Sequence, residues 1–329
     1  MSKTTRRQFL IASSTLASAS AVALARPALA QQYPAQDIHF VTGTAAGSGG
    51  DVIVRYFAEK IRPMTGGRAI IVENRVGFFG NIAIEYVARS KADGYTILLW
   101  GGSNIAGMMS VLKNPPIDVA KTLQIAATIN RQAFMFVVDA KTPYQTLDDL
   151  TKAMLVKGEK ASYATSNNEA TIMGEIYKQK SGVKAVEIPY KTAADSINDI
   201  ASGAVDYAVH NPVLALAQRS QGRMRILGVG ANERFRSVPE IPTMTEQGIP
   251  MNVTGWWCAT VPAGTPRLVI DQINRWFGDV HKNPDTPKFL SNLGGDPLTT
   301  TPEEAQAMLL ENIESWREYI RIAKITPQG

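Results

Sequence analysis

The sequence has few of the residues on which covalent or metal-based structures depend. Among its 329 residues there is one cysteine, Cys258, and there are three histidines, His39, His210 and His281. A single cysteine excludes an intramolecular disulfide framework and a site in which several cysteines hold zinc or an iron–sulfur cluster. The histidines are far apart in the chain and form no H-E-x-x-H pattern, which gives no support to a metal site. We therefore expect neither a metal nor a cofactor.

Nucleotide-binding and catalytic motifs are also absent. The glycine-rich loop at Gly47–Gly50 is followed by Val52, where a dinucleotide fingerprint needs glycine, and it contains no P-loop lysine. Ser48 is not a nucleophile of the G-x-S-x-G type, because Ala46 stands where the first glycine is required. No pattern joins a nucleophile to a base, so we expect no catalytic residues and no enzyme activity.

Positive charge is concentrated in residues 1–30. This segment has no acidic residue and four basic ones: Lys3, Arg6, Arg7 and Arg26. A weakly apolar stretch and Ala28-Leu29-Ala30 follow the arginine pair, an order typical of a twin-arginine signal peptide that is cleaved on export. The alternative is a membrane anchor, but the apolar run is shorter than the roughly 20 residues that a span needs.

Cleavage of the signal peptide would remove most of the net positive charge. The formal charge of +5 falls to +1 without the four basic residues, and the mature chain begins near Gln31. The electrostatic argument for a nucleic-acid partner then disappears. We expect an exported periplasmic protein that does not bind nucleic acid.

The mature chain alternates short apolar runs with amphipathic stretches. Examples are Ile38–Val41 before a helix from about Asp51, and Ile70–Val72 before a helix near Ile82. This alternation predicts α/β layers with mainly parallel sheets. Thr301-Pro302-Glu303-Glu304 predicts a capped helix start. Loops that lead from a strand into a helix expose backbone N–H groups, which favour anions such as carboxylates.

Several motifs occur in order along most of the mature chain. They are Ala45–Asp51 with Arg55, Val72–Gly77 with Gly80-Asn81-Ile82, Asp93–Leu98, Pro189-Tyr190-Lys191, Gly203–Asp206, Val238–Thr243 with Glu246-Gln247-Gly248, and Pro262–Pro266. With these motifs the chain resembles the periplasmic solute-binding proteins of tripartite tricarboxylate transporters, the Bug family.

The resemblance implies an α/β fold of the two-lobed periplasmic-binding-protein type (Venus flytrap, type II), with the ligand in a cleft between the lobes. On this basis, residues 1–30 are the signal peptide. Residues 31–131 together with 228–329 form lobe 1, and residues 132–227 form lobe 2.

The resemblance also implies ligand contacts from loops of both lobes. In lobe 1 they are Gly43, Thr44, Ala45, Gly47, Ser48, Gly77, Phe78, Phe79, Gly80 and Ser103. In lobe 2 they are Thr165, Ser166, Asn167, Glu169, Tyr190, Thr192, His210 and Asn211.

Four of these positions depart from the family pattern and leave alternatives open. Phe78 and Phe79 stand in a loop that usually reads Gly-Ala-Gly-Gly; they either pack beneath the loop or line the cleft and stack on an aromatic ligand. Glu169 accepts a hydrogen bond from the ligand or faces solvent. His210 donates to a ligand carboxylate or has a structural role.

The function implied is capture of a small organic acid, with an aromatic acid as one option, for a membrane permease. The expected partners are that acid and the permease subunits, and the protein is expected to be a monomer. Two other functions stay open: sensing a ligand for a membrane sensor kinase, and an exported enzyme, against which the missing catalytic motifs argue.

Overall fold

The computed structural model describes residues 33–77 and 80–327, so the predicted signal peptide and Phe78-Phe79 lie outside the described residues. The strands are β1 (Ile38–Thr42), β2 (Ile70–Asn74), β3 (Thr96–Gly101), β4 (Leu123–Ala133), β5 (Met135–Asp139), β6 (Ser162–Thr165), β7 (Val186–Pro189), β8 (Tyr207–His210), β9 (Met224–Val229), β10 (Thr254–Pro262) and β11 (Gly295–Pro297). The helices are α1 (Gly49–Ile61), α2 (Asn81–Ala88), α3 (Gly102–Val111), α4 (Val119–Thr122), α5 (Leu147–Lys157), α6 (Asn168–Ser181), α7 (Ile197–Ser202), α8 (Pro212–Ser220), α9 (Arg267–Lys282), α10 (Asp285–Asn292) and α11 (Pro302–Ala323).

The strands form two sheets, each with helices packed on it, which is the predicted two-lobed α/β architecture. Lobe 1 holds a six-stranded sheet in the order β11-β4-β10-β3-β1-β2, and lobe 2 holds a five-stranded sheet in the order β7-β6-β8-β5-β9. The expectation of mainly parallel sheets is wrong. β10 is antiparallel to β3 and β4, and β5 is antiparallel to β8 and β9. The chain leaves lobe 1 along β4 and returns along β10, so these neighbouring strands run in opposite directions.

The chain passes between the sheets in two places that are bonded to each other. β4 pairs with β10 as far as Ala133, and β5 begins at Met135, so the first crossing is a single residue, Phe134. The second crossing runs from β9 to β10, and its Gly230 N–H donates to Phe134 O at 3.0 Å. A change in the angle between the lobes therefore needs rotation at only a few backbone positions.

The last helix, α11, packs against elements of both lobes. The predicted start at Thr301 is confirmed: its side chain accepts from Glu304 N–H, and the Glu304 side chain accepts from Thr301 N–H. The inward face of α11 includes Leu309, Ile313 and Trp316, all buried. At its other end, Ile322 O accepts a hydrogen bond from Gln179 Nε2 of α6 at 2.5 Å. Within the described residues, no helix is long and apolar enough to cross a membrane.

Candidate functional site

A cavity of about 760 Å³ lies between the two sheets, and we call it the cleft. It is open to solvent and is lined by residues of both lobes. The lining residues of lobe 1 are Gly43, Thr44, Ser48, Gly49, Gly50, Ile53, Val76, Gly77, Gly80, Trp100, Asn104, Gln132 and Trp257. The lining residues of lobe 2 are Asn167, Thr192, Ala193, Ala194, Asn211, Val213, Leu214 and Ala217.

The polar part of the cleft is built from the starts of helices. Gly49 and Gly50 open α1, Gly80 precedes α2, and Asn167 and Asn211 are the N-caps of α6 and α8. The first N–H groups of a helix have no partner within the helix, and the helix dipole places partial positive charge there. Helix starts from both lobes therefore favour an anion in the same cavity.

The first loop of lobe 1 is held by the buried carboxylate of Asp51. Asp51 Oδ2 accepts from Gly47 N–H and from Arg55 Nε, each at 2.8 Å, and Oδ1 accepts from Asn74 Nδ2 at 2.8 Å. Asn74 Nδ2 also donates to Thr44 O at 3.0 Å. Burial alone would raise the pKa of Asp51, but the hydrogen bonds from Arg55, Asn74 and Gly47 together lower it. An ionised Asp51 thus fixes both sides of this loop.

Two indole rings lie directly against the glycines of the lobe 1 loops. A Cβ atom at Gly80 would stand 2.4 Å from Cζ2 of Trp100, and a Cβ atom at Gly43 would stand 3.2 Å from Cη2 of the same ring. A Cβ atom at Gly50 would stand 2.7 Å from Cη2 of Trp257. Gly80 also has a φ of +87°, which disfavours a side chain there for a second reason. These loops need glycine because the indoles, together with Thr44 Cγ2 beside Gly50 and the Gly80 backbone beside Gly43, fill the space that a Cβ would occupy.

The lobe 2 loops instead use side chains to cap their helices. Asn167 Oδ1 accepts from Ala170 N–H at 2.9 Å, and Asn211 Oδ1 accepts from Leu214 N–H at 3.1 Å. Thr192 forms a capping box with Asp195 at the start of the helical turn before α7. These hydrogen bonds satisfy some of the N–H groups at each helix start, and they fix the direction in which the chain enters the helix.

Glu169 joins the two lobes behind the cleft wall. Its Oε1 atom accepts from Asn104 Nδ2 of lobe 1 at 3.2 Å, and Asn104 itself lines the cleft. The residue is 5% exposed, so its side chain does not face solvent. Burial raises the pKa of Glu169 because the charged form is poorly solvated there. Protonation would keep negative charge away from a ligand anion.

His210 is buried beneath the cleft and does not line it. Its Nε2 atom lies 3.2 Å from Ser196 Oγ, and the residue is 1% exposed. Burial lowers the pKa of His210 to about 4, so the ring is neutral at physiological pH. The geometry favours a structural role within lobe 2 over donation to a ligand.

Eight of the predicted residues line the cleft: Gly43, Thr44, Ser48, Gly77, Gly80, Asn167, Thr192 and Asn211. Ala45 and Gly47 belong to the first loop, are exposed and do not line the cleft. Three other side chains, which do not line the cleft, are engaged elsewhere: Ser103 Oγ donates to Thr254 O, Thr165 Oγ1 to Glu187 and Tyr190 OH to Asp199. Ser166 does not line the cleft. Phe78 and Phe79 lie outside the described residues.

Several lining residues were missed at the level of sequence, and most of them are apolar. Trp257 and Gln132 come from β10 and β4, which the alternation of strands and helices did not indicate. Trp100 stands at the end of β3, directly before Gly101-Gly102. For Trp100 the sequence does offer a signal, because an aromatic residue stands between a buried strand and a glycine pair.

None of the described residues that line the cleft has an ionisable side chain. An anion bound there would be held by backbone N–H groups, hydroxyl groups and amide groups. In the described part of the chain, no group of three or more histidine, cysteine, aspartate or glutamate residues is placed to hold a metal ion. Cys258 is buried, and burial raises the pKa of its thiol to about 12, which makes it unreactive.

Comparisons with known proteins agree with this architecture. A model described as the tripartite tricarboxylate transporter family receptor matches residues 53–325. A UPF0065 protein of Bordetella bronchiseptica is 30% identical over 93% of this chain and 91% of its own length. The solved periplasmic binding protein BugD is 26% identical with a TM-score of 0.77, covering 90% of this chain and 100% of BugD. An R. palustris protein solved with adipate has the same fold, with 24% identity and a TM-score of 0.79 over 90% of this chain and 100% of its own.

The family match spans well over half of the chain, and the Bordetella relative is similar along nearly all of it. The two sheets, the cleft between them and the glycine loops at helix starts fit this assignment. This chain belongs to the tripartite tricarboxylate transporter receptor family.

Proposed function

We propose that this protein captures a small organic acid in the cleft and presents it to the membrane subunits of a tripartite transporter. The observation that carries the proposal is the convergence of helix starts from both lobes on a cavity with no ionisable lining residue. Such a site stabilises a carboxylate through N–H dipoles without a fixed cation. Family membership supports the same function.

The carboxylate is proposed to bind first on lobe 1. There, Gly80 precedes α2 without a side-chain cap, and the Ser48 cap of α1 is long, at 3.4 Å from Asp51 N. The N–H groups at the start of α2 therefore have no side-chain competitor, and those at the start of α1 have a weak one. The hydroxyl groups of Thr44 and Ser48 stand beside them on the cleft wall.

Lobe 2 is proposed to close over the bound acid. The lobes already touch at the start of α8, where a Cβ atom at Gly49 would lie 3.1 Å from Val213 Cγ1. Pro212 and Leu216 of α8 also contact Gly294 of lobe 1. A few rotations near Phe134 and Gly230 are enough to separate these surfaces and admit a ligand.

The remaining features of this proposal follow from the sequence. We propose residues 1–30 as a cleaved twin-arginine signal, a periplasmic location, a monomeric state and binding without turnover. The lobes are proposed to be about residues 31–131 with 228–329, and 132–227; β4 continues the lobe 1 sheet to Ala133, and β9 continues the lobe 2 sheet to Val229. In this account the partners are the acid and the permease subunits, with no nucleic acid.

A thermal-shift screen of organic acids, followed by calorimetry on each hit, tests the proposal. A ligand that binds only the folded protein raises the melting temperature by mass action. We expect at least one carboxylic acid to bind at a single site and to be recovered chemically unchanged. Recovery of a converted product would favour an exported enzyme. Ligand-dependent binding to a sensor kinase but not to the permease would favour the sensing function.

A further inference from the structure

We propose that Trp100 and Trp257 determine the class of acid that is bound, and that they select a carboxylic acid with a flat aromatic body. This inference rests on the proposed function and adds the identity of the ligand class. It concerns the apolar half of the cleft, which the helix starts do not explain.

The two indoles form one aromatic corner of the cleft wall. Trp100 of β3 and Trp257 of β10 lie edge to face, with ring centroids 5.8 Å apart and planes at 66°. Both line the cleft. Edge-to-face and offset-stacked arrangements are the favourable geometries for aromatic rings, so a third ring entering this corner finds a face or an edge to pack on.

Two neighbouring tryptophans in β10 point to opposite faces of the sheet, as successive residues of a strand do. The pairing of β10 with β4 shifts register between Trp257 and Cys258. Trp256 packs against Gly102 and donates from Nε1 to Asn312 Oδ1 at 3.2 Å, whereas Trp257 lies on the cleft. The register shift comes directly after Trp257, and β-bulges often lie next to functional sites. Trp257 is 9% exposed and packs in a different part of the core from Trp256, and it also lines the cleft.

The opposite wall has an apolar part as well. That part includes Val213, Leu214 and Ala217 on α8 of lobe 2, and Gly49 of lobe 1 touches Val213 at its edge. An apolar body between the indoles and α8 would be removed from water on both faces when the lobes meet. Burial of apolar surface stabilises by about 25 cal/mol per Å², so a ring gains more here than a short polar chain.

The same indoles lie beneath the loops that are proposed to bind the carboxylate. Trp100 contacts the backbone at Gly43 and Gly80, and Trp257 contacts the backbone at Gly50. A ring packed on this corner therefore stands next to the N–H groups at the starts of α1 and α2. This adjacency is what a compact aromatic acid requires: an apolar body and an anionic group within one ring's length of each other.

The test compares benzoate with cyclohexanecarboxylate and adipate by calorimetry on the wild-type protein and on W257L. Benzoate and cyclohexanecarboxylate share a carboxylate and ring size but differ in aromaticity, and adipate has no ring. We expect the wild type to bind benzoate most tightly and W257L to lose about tenfold in benzoate affinity but less than about threefold in adipate affinity. W276F, which changes a buried tryptophan of α9, is the control and should leave all three affinities unchanged.

If W257L fails to fold, W257F and W100F replace it, with a smaller loss of benzoate selectivity expected. Benzoate should also change the tryptophan fluorescence of wild type and W276F alike. Equal binding of benzoate and cyclohexanecarboxylate by wild type, or equal losses for benzoate and adipate in W257L, would overturn the inference. Binding of adipate without benzoate would overturn it and leave the proposed function standing. No binding by any acid in the wider screen would overturn the proposed function itself.

Discussion

The two lobes present their helix starts to the cleft in different ways. In lobe 1, the residue before α2 is Gly80, which has no side chain to cap a helix, and the Ser48 cap of α1 is long, at 3.4 Å. In lobe 2, Asn167 and Asn211 cap α6 and α8 with bonds of 2.9 and 3.1 Å. Helix starts of lobe 1 that lie against indole rings and are uncapped or weakly capped thus face helix starts of lobe 2 that are capped by side chains.

This difference indicates a division of labour between the lobes. An uncapped N–H group is available to bind an anion, whereas a capped one already donates a hydrogen bond to a side chain of the protein. Lobe 1 is therefore expected to supply most of the affinity. Lobe 2 is expected to supply closure and shape, through α8 and the bond from Asn104 to Glu169.

The largest expected effect comes from a methyl group on the lobe 1 loop. Gly80→Ala places a Cβ 2.4 Å from Trp100 at a φ of +87°. We expect roughly a hundredfold loss of ligand affinity and a loss of about 2–4 kcal/mol in unfolding free energy, measured by calorimetry and urea titration.

Gly203→Ala is the matched control for Gly80→Ala. Gly203 has a similar φ of +76° in lobe 2, but nothing lies within 4 Å of a Cβ there. It should cost about 1 kcal/mol of stability and leave binding intact. Equal binding losses in the two variants would show that the contact with Trp100 is not what matters.

The next effect concerns the carboxylate that holds the first loop. Asp51→Asn removes the charge that accepts from Gly47 N–H and Arg55 Nε. We expect about a tenfold loss in affinity and about 1–3 kcal/mol of destabilisation, measured by the same two methods. The pKa of Asp51 is lowered in the folded protein, so its contribution is complete above the ordinary aspartate range and is lost as the pH falls through the lowered pKa. Unchanged affinity in D51N would show that the loop does not depend on this network.

An effect on stability rather than on binding, of about 1.4 kcal/mol per pH unit, is expected from the buried histidine of lobe 2. The folded protein keeps His210 neutral down to a pKa of about 4, whereas the unfolded chain protonates it near pH 6.5. Between these values the unfolded state binds the extra proton, so stability falls as the pH falls. His210→Gln should make the urea-denaturation free energy less steep in pH by about one proton. An unchanged slope would contradict a neutral buried His210.

The smallest effect on binding is expected from the lobe 2 caps. Asn167→Ala removes the acceptor for Ala170 N–H and should cost about 1 kcal/mol of stability. Affinity should change by less than about threefold, because lobe 1 carries the carboxylate in this account. A tenfold loss in N167A, seen by calorimetry, would break the proposed division between the lobes.

Features that depend on nearby residues were predictable from the sequence. The capping box of Thr301 and Glu304 involves atoms three residues apart, and the loops at Gly43–Ser48 and Gly77–Gly80 follow short strands directly. The parts that were missed depend on distant pairing. Trp257 reaches the cleft because β10 returns antiparallel to β3, and Asn104 meets Glu169 across 65 positions of sequence. Periodicity within a segment carries no information about such partners.

A crystal structure with the tightest-binding acid of the screen tests the central claim most directly. The account predicts that a ligand carboxylate lies within about 3.2 Å of backbone N–H groups at the starts of α1 or α2, with the ligand body on Trp100 and Trp257. A carboxylate bound only by lobe 2, or a ligand outside the cleft, would contradict it.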